Sequence, residues 1–259
     1  MTRRVPLFSV ITVCWNAGDL LRPTMESVRR QSCRNYEYLI IDGASTDTTA
    51  DVVRSYGDLV TTYVSEPDKG IYDAMNKGVR LARGEWIHFL NANDFFADEL
   101  VLAHVAKKLA LSADAELVYG DVYHRTDFSS ELYRFDWLNR RNLRLEHLCH
   151  QAVFARKRLF EEIGCFDLQY RINADYDWLL KVFQRGLNTR YLGFPVASYD
   201  LGGMSSRDPE SVARERQLVR QRNRGSLFDI PFEWGHRIRR MARGERSAGA
   251  GAGSKPEDS

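Results

Sequence analysis

Four times in its first hundred residues the chain runs a short apolar stretch straight into a polar turn, and after the first three of these a helical stretch follows. Leu7 to Trp15 leads into Asn16-Ala17-Gly18-Asp19, a helix-start signal, and Leu20, Leu21, Met25 and Val28 then recur at helical spacing until Ser32. Tyr36 to Ile41 runs into Asp42 to Asp47, where Ser45 to Asp47 can cap a helix over Thr48 to Tyr56. Leu59 to Val64 precedes Glu66-Pro67-Asp68-Lys69-Gly70, and Ile71, Met75, Val79 and Ala82 then share one helical face. Gly84 closes that helix before Trp86 to Leu90, a fourth strand ending in Asn91-Ala92-Asn93-Asp94. Regular alternation of this kind predicts an α/β fold: a Rossmann-like, mostly parallel sheet with flanking helices. Such sheets bind ligands at the carboxyl ends of their strands, so Asn16, Asp42, Asp68 and Asn91 to Asp94 are expected along one edge.

The turns exclude two common nucleotide chemistries. The first reads Trp15-Asn16-Ala17-Gly18, not the GxGxxG of a dinucleotide-binding sheet, and no GxxxxGK[ST] phosphate loop occurs. The glycine-dense tract Gly249 to Gly253 lies in a low-complexity tail without strand or helix context, and 244–259 reads as disordered. What remains is an acid beside oxygen-bearing side chains, which suits a hard divalent cation holding substrate phosphates. Taken alone, the same residues suit a plain Asn/Asp turn equally well.

At 259 residues the chain can hold one large α/β domain or two small ones. Its net charge of +2 is uneven. From Val212 to Arg246 there are ten Arg against four acids, a local +6 that leaves the remainder at −4 and hints at an anionic surface. Cys14, Cys33, Cys149 and Cys165 form no CxxC pair, which fits free thiols in a reducing cytosol. His147, Cys149 and His150 could begin a zinc site, but no second ligand pair at finger-like spacing follows. No run reaches the ~18 apolar residues needed to cross a bilayer. Met1 to Arg4 followed by Val5 to Trp15 has the outline of a signal peptide, yet Pro6, Ser9 and Thr12 and the lack of a small-x-small site favour a first strand.

Four blocks together resemble a known family. Phe8 to Asn16 (FSVITVCWN), Ile41 to Asp47 (IDGASTD), Glu66 to Gly78 (EPDKGIYDAMNKG) and Gly84 to Asp94 (GEWIHFLNAND) are similar to the successive motifs of family 2 glycosyltransferases. The likeness covers roughly residues 7–200. It implies a single GT-A-like domain over 1–205, with a nucleotide-binding half (1–94) and an acceptor-side half (95–205), followed by a basic C-terminal segment (206–243). It implies an inverting transfer of sugar from a nucleoside-diphosphate donor (UDP, GDP or dTDP) to a glycan or lipid-linked hydroxyl. By the same resemblance Thr12 and Asp42 contact the base and ribose, and Asn16, Asp68, Lys69 and Gly70 lie near the nucleotide. Asn91 to Asp94 stands where the family keeps its metal-binding DxD, with Asn91 and Asn93 in place of the acids and only Asp94 charged. An amide oxygen can ligate Mg²⁺ or Mn²⁺ without neutralising it, so weaker metal affinity is expected.

In the second half, Glu116 to Val122 reads as a strand, 123–148 as an acceptor-side insertion, and His150 to Phe154 as another strand. By resemblance that last block lines the acceptor cleft, which offers His150 and Gln151 as contacts; a hydrogen-bonded structural pair is the alternative. Asn173 to Leu180 opens a helix matching the family's catalytic block, so Asp175 would be the general base, with Asp177 as the weaker candidate two positions on. Acids at a helix start also complement the macrodipole without any catalytic role. After a last strand, Tyr191 to Tyr199, the loop bearing Gly202, Gly203 and Ser205 can bring backbone N–H groups to a diphosphate. The Arg-rich stretch Val212 to Arg224 and the aromatics Phe228, Phe232 and Trp234 suit either an anionic membrane surface or a docked C-terminal helix. No recognition module accompanies the arginines, so no nucleic-acid partner is expected. Two rivals are a sugar nucleotidyltransferase, which would want a Gly/Arg/Lys-rich loop after the first strand, and a non-catalytic nucleotide-sugar binder. The expected location is cytoplasmic, with peripheral attachment to the plasma membrane through the arginines.

Overall fold

A computed structural model describes residues 5–138, 143, 147–203 and 208–223. The first four strands are β1 (Phe8–Cys14), β2 (Tyr36–Asp42), β3 (Thr62–Ser65) and β4 (Trp86–Phe89). They pair side by side in parallel, in the order β3-β2-β1-β4. All seven residues of β1 are buried, the polar Ser9 and Thr12 among them, as in a strand covered on both faces. The helices α1 (Gly18–Arg29), α2 (Thr49–Ser55) and α3 (Ile71–Leu81) connect them. On α1 the buried stripe is Leu21, Thr24, Met25 and Val28, and Leu20 faces outward. On α3, Gly78 passes so close to the sheet that a Cβ would sit 2.6 Å from the Ile11 Cγ2.

A buried acid pins this half together. Glu37 accepts the Ser9 hydroxyl (2.6 Å), the Gly84 N–H (3.0 Å), and both the N–H and the guanidinium of Arg83. It thereby ties β1, β2 and the turn before β4. Gly84 has no room for a side chain, since a Cβ there would lie 2.6 Å from the Ser9 amide nitrogen.

The second half departs from the expected parallel order. Here stand β5 (Phe95–Phe96), α4 (Val101–Ala110), β6 (Leu117–Arg125), β7 (Ser130–Tyr133), β8 (Val153–Arg156), α5 (Arg158–Glu162), α6 (Ala174–Gln184), β9 (Thr189–Asp200) and α7 (Pro209–Arg222). The sheet continues β4-β8-β6-β9-β5, with β7 paired to β6. Only β6–β9 is parallel; β4–β8, β6–β8, β6–β7 and β5–β9 are antiparallel. The sheet is therefore mixed, and wholly parallel only across its first four strands. The stretch read as an insertion is partly a hairpin, because β6 runs on to Arg125 and turns back through β7. His150 to Ala152 is one 3₁₀ turn, and the strand begins only at Val153.

The compact unit extends to Asn223, beyond the expected limit at 205. α7 packs on α6 and the loop before it: Arg216 reaches Asn173, and Asn223 donates to Asp177 (2.8 Å). The Arg-rich stretch up to Asn223 is thus a docked helix. The basic and aromatic residues 224–243, the tail 244–259 and Ser205 lie outside the described residues. Among those described, no helix is long and apolar enough to cross a membrane.

Candidate active site

The strand-end residues gather as the topology requires. Asp42 closes β2, and β1 separates it from the turn after β4, two strand spacings or about 10 Å away. Its buried carboxylate accepts the Ser45 hydroxyl and N–H (3.2 Å), the Ser65 hydroxyl (2.6 Å) and the Tyr63 hydroxyl (3.2 Å). Asn16 sits beside it in the left-handed region (φ 45°), its side chain accepting the Thr46 N–H at 2.9 Å. Asp68 accepts the Gly70 N–H (2.8 Å) and reaches over Gly43, where a Cβ would lie 2.5 Å from the Asp68 Oδ2. Gly70 takes φ 115° at the start of α3, a conformation that favours glycine. Lys69 lies between Asp68 and Gly70 in this same turn, its N–H held by Asp73 (3.0 Å). Trp15, 69 % exposed, stands over the same edge.

Thr12 is enclosed. Its hydroxyl donates to the Leu90 carbonyl (2.6 Å) and pairs with the Tyr38 hydroxyl (2.9 Å), so its side chain joins β1 to the end of β4 and offers no free group to a ligand.

Next along the edge, the turn Asn91 to Asp94 is braced from behind. Asn93 adopts φ 72°; its N–H bonds the Leu20 carbonyl (3.0 Å) and its amide donates to Asp200 (2.7 Å) at the end of β9. The buried Asp94 accepts the Gln151 amide (2.9 Å) and the Asp200 N–H (3.3 Å). Burial pushes the Asp94 carboxyl up to about 6, partly countered by the Gln151 hydrogen bond. Gln151 thereby holds Asp94.

The centre of the site is Asp175, in the first turn of α6. Its Oδ2 faces the His150 Nδ1 at 3.0 Å and the His147 Nε2 at 3.6 Å. Its Oδ1 faces the Tyr72 hydroxyl (2.9 Å) and the Tyr176 N–H (2.8 Å). Tyr72 also contacts the Ile172 carbonyl, so its hydroxyl links α3 to the start of α6. Burial alone would raise the carboxyl; the charge of His147 and the hydrogen bond and charge of His150 outweigh it and hold Asp175 well below the usual carboxylate range. His150 carries the connection onward, since its Nε2 lies 2.9 Å from the Asn91 amide. One chain of contacts therefore runs Asn91–His150–Asp175, from the strand edge to the helix. Asp177 points elsewhere, into Lys181 (2.6 Å) and Asn223, and belongs to the α6–α7 packing.

The family model for glycosyl transferase family 2 matches residues 9–164, which is more than half of the chain. The chain is a family 2 glycosyltransferase. A PGL/p-HBAD biosynthesis glycosyltransferase of Mycobacterium tuberculosis is 37% identical over 211 residues, covering 78% of this chain and 80% of that protein. Chondroitin synthase of Escherichia coli is 28% identical over 71% of this chain and 27% of its own length. Among solved structures, S. aureus TarS 1–349 with UDP superposes with TM-score 0.69 at 16% identity, over 83% of this chain and 64% of that one. The chain spans 38% of the longer TarS chain. A mannosyltransferase of Pyrobaculum calidifontis, solved with GDP-Man and Mn²⁺, gives 0.60 at 19% identity over 92% of this chain and 81% of that one. These neighbours establish the GT-A-like fold of this glycosyltransferase.

Does this family 2 edge suit a divalent cation? The Asn91 Oδ1 is buried with no hydrogen-bond partner among the described residues, an acceptor left for a ligand. The Asp200 carboxylate, at the end of β9, accepts the Asn93 amide in the same turn (2.7 Å); this acid lies outside the four sequence motifs. Among the described residues no three His, Cys, Asp or Glu groups are arranged to hold an ion. The donor set is therefore oxygen-only and incomplete, which fits a Mg²⁺-like ion that takes its remaining ligands from water and phosphate. As for zinc, both imidazoles of the supposed cluster face Asp175, and Cys149 is a buried free thiol pushed up by desolvation.

Three further residues of this glycosyltransferase escape a reading of its sequence. Tyr72 lies inside the third motif but reads only as an aromatic on α3. His147 suggests zinc and nothing else. Glu215 carries no signal at all: from α7 it accepts the N–H groups of Arg171 (2.8 Å), Ile172 (2.9 Å) and Asn173 (3.0 Å), directly before the Asp175 helix. Gly202 and Gly203 are exposed after β9, and the Gly202 N–H is held by Asp200 (2.8 Å).

Proposed function

We propose that this glycosyltransferase moves a sugar from a nucleoside-diphosphate donor to an acceptor hydroxyl with inversion. The observation that carries the reading is the contact chain Asn91–His150–Asp175, which couples the strand edge where a diphosphate would lie to an ionised carboxylate. Support for the donor class comes from the fold neighbours solved with UDP, UDP-GlcNAc and GDP-Man. Asp42, Asp68 and the Lys69-Gly70 turn hold the nucleoside end, with Trp15 beside them. Asn91 and Asp200, backed by Asp94, would hold a Mg²⁺ or Mn²⁺ ion. When bound, that ion supplies positive charge against the departing diphosphate. Direct displacement at the anomeric carbon, with one proton taken from the acceptor, inverts the centre. The acceptor is a glycan or lipid-linked hydroxyl, the class suggested by the relatives named for PGL/p-HBAD biosynthesis and chondroitin synthesis.

A thermal-shift screen across UDP-, GDP- and dTDP-sugars, with and without Mn²⁺, tests the donor. A ligand at a hundred times its Kd should stabilise the protein by about 2.7 kcal/mol. Release of free nucleoside diphosphate from that donor separates an enzyme from a mere binder. Binding without product in the presence of candidate acceptors would overturn the reading. We place the chain on the cytoplasmic face of a membrane through the arginines of 224–243. Liposome flotation of the full chain against a truncation after Asn223, which spares α7, checks this; equal flotation dismisses it.

A further inference from the structure

We propose that this glycosyltransferase draws its sugar from a guanosine-diphosphate donor, and that Asp68 is the residue that selects the guanine. This rests on the glycosyl-transfer reading above and names the base within it.

Asp42 and Asp68 both stand at the nucleoside edge, but they are not equivalent. Asp42 is buried and fully engaged by the protein: it accepts the hydroxyls of Ser45, Ser65 and Tyr63 and the Ser45 N–H. Each of those hydroxyls has one proton and gives it to Asp42, so none is left to donate to a base. Asp68 is half-buried and holds a single protein donor, the Gly70 N–H on Oδ1 (2.8 Å). Its Oδ2 has no partner among the described residues and lies over Gly43, 2.5 Å from where a Cβ would be. The exposed indole of Trp15 approaches the same point, its Cδ1 3.5 Å away. Because Gly43 has no side chain, an open aromatic ring and an unengaged carboxylate oxygen stand side by side. Asn16 flanks them. Its Oδ1 accepts the Thr46 N–H (2.9 Å), and its amide nitrogen has no partner among the described residues.

Stacking on Trp15 does not choose among nucleotides, because every base has a π face. The choice falls to the edge that meets Asp68. An ionised carboxylate accepts hydrogen bonds and donates none. Guanine turns two adjacent donors toward such a group, N1–H and the N2 amine, and carries O6 beyond them for a donor such as the Asn16 amide. Uracil and thymine set one N–H between two carbonyl oxygens, so a carboxylate that takes the N–H also faces a carbonyl it repels. Adenine and cytosine place an unprotonated ring nitrogen beside their amine, with the same result. Guanine is thus the base whose edge gives Asp68 two donors and no opposing lone pair.

The test measures binding of GDP, inosine diphosphate, UDP and dTDP to the full chain by calorimetry, with Mg²⁺ present. GDP should bind most tightly. Inosine diphosphate keeps N1–H and lacks only the N2 amine, so it should bind about tenfold more weakly, the worth of one hydrogen bond to a charged acceptor. Asp68→Asn should lose the preference for GDP and take xanthosine diphosphate instead, whose C2 carbonyl accepts from the introduced amide. The asparagine oxygen can still accept the Gly70 N–H, and a gain of xanthosine diphosphate binding is one that a merely structural role for Asp68 would not produce. Should the variant misfold, the order of affinities in the wild type decides the matter. UDP or dTDP binding as tightly as GDP, or inosine diphosphate matching GDP, overturns the proposal and leaves the transfer reading standing. Equal weakening of all four nucleotides in Asp68→Asn would place Asp68 on the ribose and overturn it too. A wild-type protein that binds none of them refutes the nucleoside-diphosphate reading itself, and the choice of base falls with it.

Discussion

Replacing Glu215 by alanine should loosen the start of the Asp175 helix from a distance. The side chain is half-buried on α7, and its carboxylate gathers three consecutive N–H groups from Arg171 to Asn173. Arg171 is exposed, so water can take over its N–H; Ile172 and Asn173 are buried, and theirs would be stranded. A stranded buried N–H costs about 1–3 kcal/mol, so the two together come to roughly 3 kcal/mol after partial relaxation. For a domain of this size 1 kcal/mol moves Tm by about 2–4 °C, which predicts a fall of about 6–12 °C. Asp175 begins two residues beyond this loop, and the Ile172 carbonyl is the partner of Tyr72, so the carboxylate should shift as well. Misplacement on the order of 1 Å can lower turnover about 10²-fold. Donor affinity should change little, since Glu215 touches nothing at the strand edge. Glu215→Gln keeps an acceptor oxygen and should lose only about 1 kcal/mol, the difference between a charged and a neutral acceptor. Differential scanning fluorimetry and steady-state kinetics on the three proteins decide the matter. A Glu215→Ala protein that melts with the wild type and turns over normally would show that the loop holds its shape unaided.

Tyr72→Phe removes one donor from Asp175 and the link to Ile172, so kcat should fall while the donor KM holds; an unchanged kcat would reduce Tyr72 to core filling. His88 is buried between Phe96 and Phe154, with Nδ1 on the Val153 carbonyl and Nε2 unpartnered among the described residues. Burial lowers it from 6.5 to about 4, so the unfolded chain binds the proton first and stability drains away as pH falls through that window, by about 3 kcal/mol. His88→Phe should therefore gain on the wild type between pH 6.5 and 4 in denaturant titrations; parallel curves would refute the assignment.

The parallel half is legible because each of its signals is local. An apolar run of five to nine residues, a polar turn and a 3.6-residue stripe all sit within thirty residues, and burial of β1 on both faces leaves no alternation to misread. The second half depends on partners far apart in the chain. β6 meets β9 some seventy residues on, β5 is two residues long, and β8 is four, so no period exists to find. His150 to Ala152 reads as strand because it runs straight into a short apolar stretch. It turns instead, so that consecutive side chains can serve different partners: His150 bonds Asp175 and Gln151 bonds Asp94. The site shows the same division. Asp42, Asn91 and Asp175 declare themselves by their place after a strand or at a helix start. Asp94, the lone acid of its turn, reads as the charge at the metal edge, yet its oxygens face Gln151 and the Asp200 backbone. Which way a side chain points is decided by neighbours that the turn itself does not encode.

Asp175 owes its position to three elements that have no sequence proximity to one another. Tyr72 reaches it from α3, His150 from the 3₁₀ turn before β8, and Glu215 holds the loop behind it from α7. Each belongs to a different stretch: the parallel first half of the sheet, the mixed second half and the arginine-rich helix after β9. The last of these follows the glycines at 202–203 in the chain, and it carries the brace of the Asp175 helix. A cut at 205 would keep every motif that identifies the family and still remove Glu215, Asn223 and their hydrogen bonds to the start of α6. Such a truncated chain should keep the nucleotide edge intact and lose the placement of Asp175, which makes the arginine-rich helix part of the catalytic domain and not an appendage to it.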